Sequence, residues 1–175
     1  IRSAQIVAHV GQVVVSDASA SGLFATGSDQ GDIAIWDSAT GEEIRRWRSA
    51  DGTDLVIRAL AFSERGDVLA AGLDDGSVLL WRWAENSTTF LLGHFQPVTG
   101  LVFAPDGQQL ASLSADKTTR LWDVQTGRVV HVLVEPAGAP VGAGFLQTKA
   151  QLAIAADDGS VGVWDLATGR NAYRR

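Results

Sequence analysis

The sequence predicts an all-β protein assembled from copies of one antiparallel meander. Trp36, Trp81, Trp122 and Trp164 recur at spacings of 45, 41 and 42 residues. Each closes a short apolar run that follows a polar turn: SDQGDIAIWD, LDDGSVLLWR, SADKTTRLWD and ADDGSVGVWD. Short apolar runs broken by Gly, Asp and Pro are frequent, and no useful stretch has the 3.6-residue apolar period of a helix.

The meander is plainest between Gly93 and Asp123. Gly93-His94 opens it, and Val98 to Phe103 reads as a strand ending in a turn at Ala104-Pro105-Asp106-Gly107. Leu110 to Leu113 reads as the next strand. A tight turn around Asp116-Lys117 leads to a third, Thr119 to Trp122, which closes on Asp123. Asp also follows the tryptophan at Asp37 and Asp165, whereas Arg82 takes that place in the second copy. A Thr-Gly pair comes next at 40–41, 126–127 and 168–169.

Composition narrows the classes. A hydrophobic share of 46% and a charged share of 19% belong to a globular chain. A net charge of -6 argues against nucleic acid, whose binding depends on basic groups that displace counterions. No apolar run reaches the roughly 18 residues that span a bilayer, so no membrane partner is expected. No secretory leader is visible and a cytoplasmic location is the expectation. Cys is absent, which rules out a disulfide framework and thiolate metal sites. The lack of Met and the start at Ile1 predict a piece of a longer chain. Arg outnumbers Lys by 12 to 2, a bias that points to a GC-rich bacterial source.

These repeats resemble the WD-repeat β-propeller family, whose units run about 40–45 residues with Gly-His near the front and Trp-Asp near the end. The resemblance covers essentially the whole chain and implies a β-propeller of four-stranded antiparallel WD-repeat blades around a central axis. On that register residues 1–8 are a spare outer strand, and blades occupy 9–50, 51–92, 93–135 and 136–175 of a single propeller segment. Propellers commonly hold about four to eight blades, with about seven usual in this family. Four blades therefore read as part of a larger ring, completed by remaining blades from a parent chain or by self-association. A small closed ring, with residues 1–8 pairing to the fourth blade, is the alternative.

The resemblance also implies a buried hydrogen-bond network in which His, Ser or Thr, Asp and Trp tie the loop entering a blade to its second and third strands. The third unit matches fully, with His94, Ser112, Asp116 and Trp122. The first has His9, Thr26 and Trp36, with Gln30 in the place of Asp. The second keeps Asp75 and Trp81, with Thr53 and Ala71 at the other positions. The fourth keeps Asp158 and Trp164, with Pro136 and Ile154.

His, Ser and Asp together could form a nucleophilic triad, but buried polar groups ordinarily persist by satisfying one another, and no Gly-x-Ser-x-Gly elbow is present. No catalytic residue is assigned. The turns at Asp29-Gln30-Gly31-Asp32, Asp74-Asp75-Gly76 and Asp157-Asp158-Gly159 are too short and too poor in carboxylates for a calcium loop. His9, His94 and His131 lack metal-ligand spacing, and no phosphate-cradling loop occurs. Neither metal nor cofactor is expected. Trp47 reads as outer-strand packing, and Trp83 as packing or an exposed anchor.

The expected function is a non-catalytic scaffold that binds a protein or peptide on the face made by the blade-entry loops and the turns between second and third strands. By position that face holds Gln12, Gln30, Asp54, Asp75, Phe95, Gln96, Lys117 and Asp158, with Phe95 as its apolar anchor. The alternative is a sensor or regulatory domain of a larger bacterial signalling ATPase or kinase.

Overall fold

The computed structural model describes residues 9, 11–49, 55–134, 138–146 and 150–174, and every regular element among them is a strand. Sheet 1 holds β1 (Val13–Ala18), β2 (Leu23–Ser28), β3 (Ile33–Asp37) and β4 (Glu43–Trp47). Sheet 2 holds β5 (Ile57–Phe62), β6 (Leu69–Leu73), β7 (Val78–Arg82) and β8 (Ser87–Leu91). In sheet 3 are β9 (Val98–Phe103), β10 (Gln109–Ser114), β11 (Thr118–Asp123) and β12 (Val129–Val134). Sheet 4 is β13 (Pro140–Leu146), β14 (Gln151–Ala156), β15 (Val161–Asp165) and β16 (Arg170–Arg174). Spatial order follows chain order in all four sheets, with antiparallel neighbours. The spare strand expected at residues 1–8, and the positions of Thr53, Asp54 and Pro136, lie outside the described residues.

The turns explain why these segments form meanders. Between the second and third strands one residue of each turn has positive φ: Gly31 (79°), Gly76 (89°), Lys117 (67°) and Gly159 (84°). The first turn residue donates its N–H to the chain just ahead of the sheet's first strand. These bonds are Asp29 to the Gln12 carbonyl (3.1 Å), Asp74 to Val56 (3.1 Å), Ala115 to Pro97 (3.1 Å) and Asp157 to Ala139 (3.0 Å). Each sheet is thus closed at the same corner by the same backbone bond.

The aspartate after the tryptophan closes the opposite end. Asp37 accepts the N–H groups of Ala39 and Thr40 at 2.8 Å each. Asp123 takes the Thr126 N–H and hydroxyl, and Asp165 those of Thr168. These bonds hold the three carboxyls below the usual carboxylate range. In sheets 1, 3 and 4 the third and fourth strands slip register beside the tryptophan. Sheet 2, with Arg82 in place of the aspartate, pairs from Val78↔Leu91 to Arg82↔Ser87 without a slip, and Asn86 (φ 53°) makes its turn.

The core lies between sheets. Ala25, Ile33 and Ile35 of sheet 1 pack on Ile57, Leu69, Leu79 and Trp81 of sheet 2. The other side of sheet 2, with Ala70, Val78, Leu80 and Leu91, meets Val98, Leu110 and Trp122 of sheet 3. Ala111, Leu121 and Leu133 then meet Leu152, Ile154 and Trp164 of sheet 4. Both faces of sheet 2 are therefore apolar, and its strands read as near-continuous hydrophobic runs.

The two outermost faces differ. Val161 is 45% exposed, although Ile33 and Val78 at the same register are 0% exposed. At the other end Val13 is 47% exposed, against 0% for Ile57 and Val98. A Cβ added at Gly76 would lie 2.7 Å from the His94 carbonyl oxygen of the following sheet, whereas one at Gly159 would meet nothing within 4 Å.

That contrast sets a paired test of the stacking. Gly159→Ala is expected to cost about 1 kcal/mol, the strain of a side chain at positive φ. Gly76→Ala adds a backbone collision with the next sheet and is expected to cost about 3 kcal/mol. Urea melts of the two variants read the difference.

Candidate interaction face and the network beneath it

In sheet 3 four side chains form a continuous hydrogen-bonded line. Trp122 Nε1 donates to Ser112 Oγ (2.8 Å), Ser112 Oγ meets His94 Nε2 (2.8 Å), and His94 Nδ1 meets Asp116 Oδ2 (2.9 Å). The His94 and Asp116 side chains are wholly buried. Burial holds the imidazole below its ordinary value against the pull of Asp116, so it is neutral at pH 7. For Asp116 burial works upward, but hydrogen bonds from Thr118 and His94 outweigh it and keep the carboxyl below its usual range. An ionised Asp116 only accepts, so the single imidazole proton is on Nδ1. Ser112 then donates to Nε2 and accepts from the indole, and every proton in the line has one place.

Thr118 was not part of the expected set. Its hydroxyl donates to Asp116 Oδ1 (2.6 Å) and its N–H reaches the same oxygen at 2.9 Å. Asp116 thus shapes its own turn with one oxygen and anchors the entry loop with the other. Asp75 and Asp158 perform the first task in the same way. Asp75 Oδ1 accepts the Ser77 N–H (2.8 Å) and hydroxyl (2.7 Å), and Asp158 Oδ1 accepts the same groups of Ser160 at 3.0 and 2.6 Å.

Sheet 1 assembles a different version. Thr26 Oγ1 is 2.8 Å from both Trp36 Nε1 and His9 Nε2. Arg46 Nη1 stands 3.5 Å from His9 Nδ1. Burial first, and this guanidinium second, hold His9 below its ordinary value. Because Arg46 can only donate, the His9 proton belongs on Nε2, the reverse of His94. The half-buried Gln30 occupies the aspartate's place, and the structure gives His9 an arginine from the fourth strand that sequence alignment alone does not reveal.

In sheet 2 Ala71 stands where Ser112 stands in sheet 3, and the buried Trp81 Nε1 has no hydrogen-bond partner. In sheet 4 the position belongs to Ile154. The expected tryptophan cores are present in all four sheets, while the polar line is complete in sheet 3 alone among the described residues. Ser112 is 0% exposed at the middle of its sheet, which leaves no path for a substrate carbonyl.

Entry loops and second turns gather at one end of the sheets. There Gln12, Asp75, Gln96, Lys117 and Asp158 are exposed, and Phe95 is 73% exposed. Phe95 follows the buried His94, and the next carbonyl, of Gln96, accepts the Ser114 hydroxyl at 3.0 Å. An exposed ring is thereby carried on a fixed loop. Asp54 lies outside the described residues. Trp83 is half-buried against the first core and donates to the Gly66 carbonyl at 2.7 Å, so it packs rather than projecting. Trp47 lies 6.4 Å from Phe90, ring to ring.

Residues 41–82 and 85–123 match the family model described as WD domain, G-beta repeat. These two stretches are WD repeats. The chain is 36% identical over 110 residues to WD repeat-containing protein SL1-17 of Schistosoma mansoni, covering 63% of this chain and 36% of that protein. It is 34% identical over 117 residues to WD repeat-containing protein 55 of Bos taurus, covering 62% and 31%. Over 94 residues it is 34% identical to the U5 small nuclear ribonucleoprotein 40 kDa protein of Dictyostelium discoideum, covering 53% and 26%. The chain thus spans between about a quarter and two fifths of these relatives. Among solved structures, the computationally designed Ika8 protein superposes with a TM-score of 0.81 at 26% identity, covering 95% of this chain and 50% of that one. The WD-repeat assignment and the four stacked sheets make the fold a β-propeller architecture, as the sequence predicts.

The orphaned indole of the second WD repeat gives a gain-of-stability test. Ala71→Ser places a hydroxyl ten residues ahead of Trp81, the spacing of the Ser112–Trp122 and Thr26–Trp36 bonds. The variant is expected to be about 1 kcal/mol more stable in a thermal melt.

Proposed function

We propose that this WD-repeat segment is a non-catalytic docking module that receives a basic segment of a partner protein on its entry-loop face. The observation that carries the reading is Phe95, 73% exposed on a loop pinned beneath by the buried His94–Asp116 pair. An aromatic ring held in place contributes contact area with little further ordering cost. Asp75 and Asp158 lie at the same end of the sheets and outnumber Lys117 there, on a chain of net charge -6, which supports Arg or Lys in the partner.

Peptides selected from a display library on this chain are expected to be rich in Arg and Lys. Phe95→Ala is expected to weaken them about tenfold or more. Thr126→Ala, at the opposite end of the sheets, is expected to leave them unchanged. Equal affinity for Phe95→Ala and the parent chain would move the site elsewhere.

We further propose that the outer faces of sheets 1 and 4 receive neighbouring blades, supplied by a longer parent chain or by a second copy. The exposure of Val13 and Val161, and the open space at Gly159, support this. Light scattering distinguishes the sources: twice the 18.5 kDa chain mass indicates a second copy. A single-chain mass is expected if the parent chain supplies the blades, with Val161 exchanging its amide far faster than Val78. Equal protection at both valines in a single-chain species would remove the ring reading.

A further inference from the structure

Successive sheets leave a groove at the end opposite the entry loops, and the chain fills the grooves differently. Between sheets 1 and 2 the groove is plugged by Trp83, whose indole packs on the first core and donates to the Gly66 carbonyl. Between sheets 2 and 3 it is bridged by Arg82, whose Nη2 donates to the Val124 carbonyl at 2.8 Å, and the remaining cavity of about 550 Å³ is lined by polar and charged groups, Arg65, Asp67, Gln108 and Asp123 among them. Between sheets 3 and 4 the described residues leave a cavity of about 610 Å³ with a largely apolar lining.

The groove between sheets 3 and 4 is made by the turn after β9 and by sheet 4. Pro105, Phe145, Leu146, Ala150 and Leu166 give it apolar walls. Leu166 is the second residue after Trp164, as Trp83 is after Trp81, and its N–H donates to the Ala150 carbonyl at 2.8 Å. At the position where sheet 2 supplies an indole, sheet 4 supplies a smaller isobutyl group, and among the described residues the cavity lies beside it. The charge among the lining residues is Asp106, exposed on the β9–β10 turn.

We propose that this groove binds an aromatic side chain of a partner polypeptide, with a basic residue beside it against Asp106. The ring takes the place that Trp83 fills two sheets earlier. Gln109 and Gln151 are among the lining residues, and a glutamine side-chain oxygen can accept an indole N–H. This site is on the end of the propeller away from Phe95 and does not depend on that reading.

The test uses N-acetyl-Trp-Arg-amide as the probe, followed by two-dimensional NMR on the whole chain. Saturable shifts are expected at Ala104–Asp106, Phe145–Leu146 and Ala150–Gln151. N-acetyl-Ala-Arg-amide and N-acetyl-Trp-Glu-amide are expected to bind about tenfold more weakly or worse. Leu166→Trp, which supplies the ring in cis, is expected to abolish binding, and Phe95→Ala to leave it unaltered. Asp106→Asn keeps the turn acceptor for the Gln108 N–H and is expected to erase the preference for Arg over Glu. It serves as the second variant should Leu166→Trp not fold. Absence of saturation at millimolar probe, shifts confined to other residues, or undiminished binding by Leu166→Trp would overturn the proposal, as would an Asp106→Asn protein that retains the full Arg preference.

Discussion

Face-to-face contact between successive sheets is the constraint on which this molecule depends. A single meander of about 40 residues buries too small a fraction of its surface to offset readily the entropy of ordering it. The side chains of Ile33 and Ile35 are fully buried because Ile57, Leu79 and Trp81 of the next sheet lie on them. The same relation repeats from sheet 2 to sheet 3 and from sheet 3 to sheet 4. Alternation of polar and apolar residues is therefore weak in the middle strands, and an interior strand such as β7 reads VLLWR. The cost of that arrangement is polar: a tryptophan at the sheet centre brings an indole N–H into an apolar layer.

The three ways of treating that N–H show how much the fold tolerates. Sheet 3 supplies Ser112 and continues the line to an ionised carboxylate, with no donor or acceptor left over. Sheet 1 uses Thr26 and His9 with the opposite tautomer, facing Arg46 instead of an aspartate. Sheet 2 leaves the Trp81 N–H unanswered yet has the most thoroughly buried tryptophan. Packing on both sides of sheet 2 evidently outweighs one missing bond, whose deficit is on the order of 1–3 kcal/mol.

Much of this was legible because the information is periodic. Four tryptophans at nearly constant spacing, each behind a Gly or Asp turn, locate the middle strands, and the Thr-Gly pairs locate the outer turns. His94, Ser112, Asp116 and Trp122 could be chosen by offset within one repeat, and they meet at hydrogen-bonding distance. What could not be read crosses from one element to another without a fixed offset. Arg46 reaches His9 over 37 residues, and Arg82 reaches Val124 over 42. The groove beside Leu166 is a matter of volume, and a leucine in a repeat alignment does not disclose what surrounds it. The slip-free pairing of β7 with β8 accompanies the loss of both the aspartate and the Thr-Gly pair, changes visible in the sequence whose effect on register is not.

The open outer faces have a consequence for how the molecule comes apart. A layer gripped from both sides, like sheet 2 or sheet 3, loses two cores when it melts, whereas sheet 1 or sheet 4 loses one. In a linear stack coupled only through nearest neighbours, unravelling proceeds from the ends inward and need not be all-or-none. Sealing both Val13 and Val161, as proposed above, would therefore do more than cover valines: it would convert a fraying row into a loop without ends, in which no layer is the first to leave.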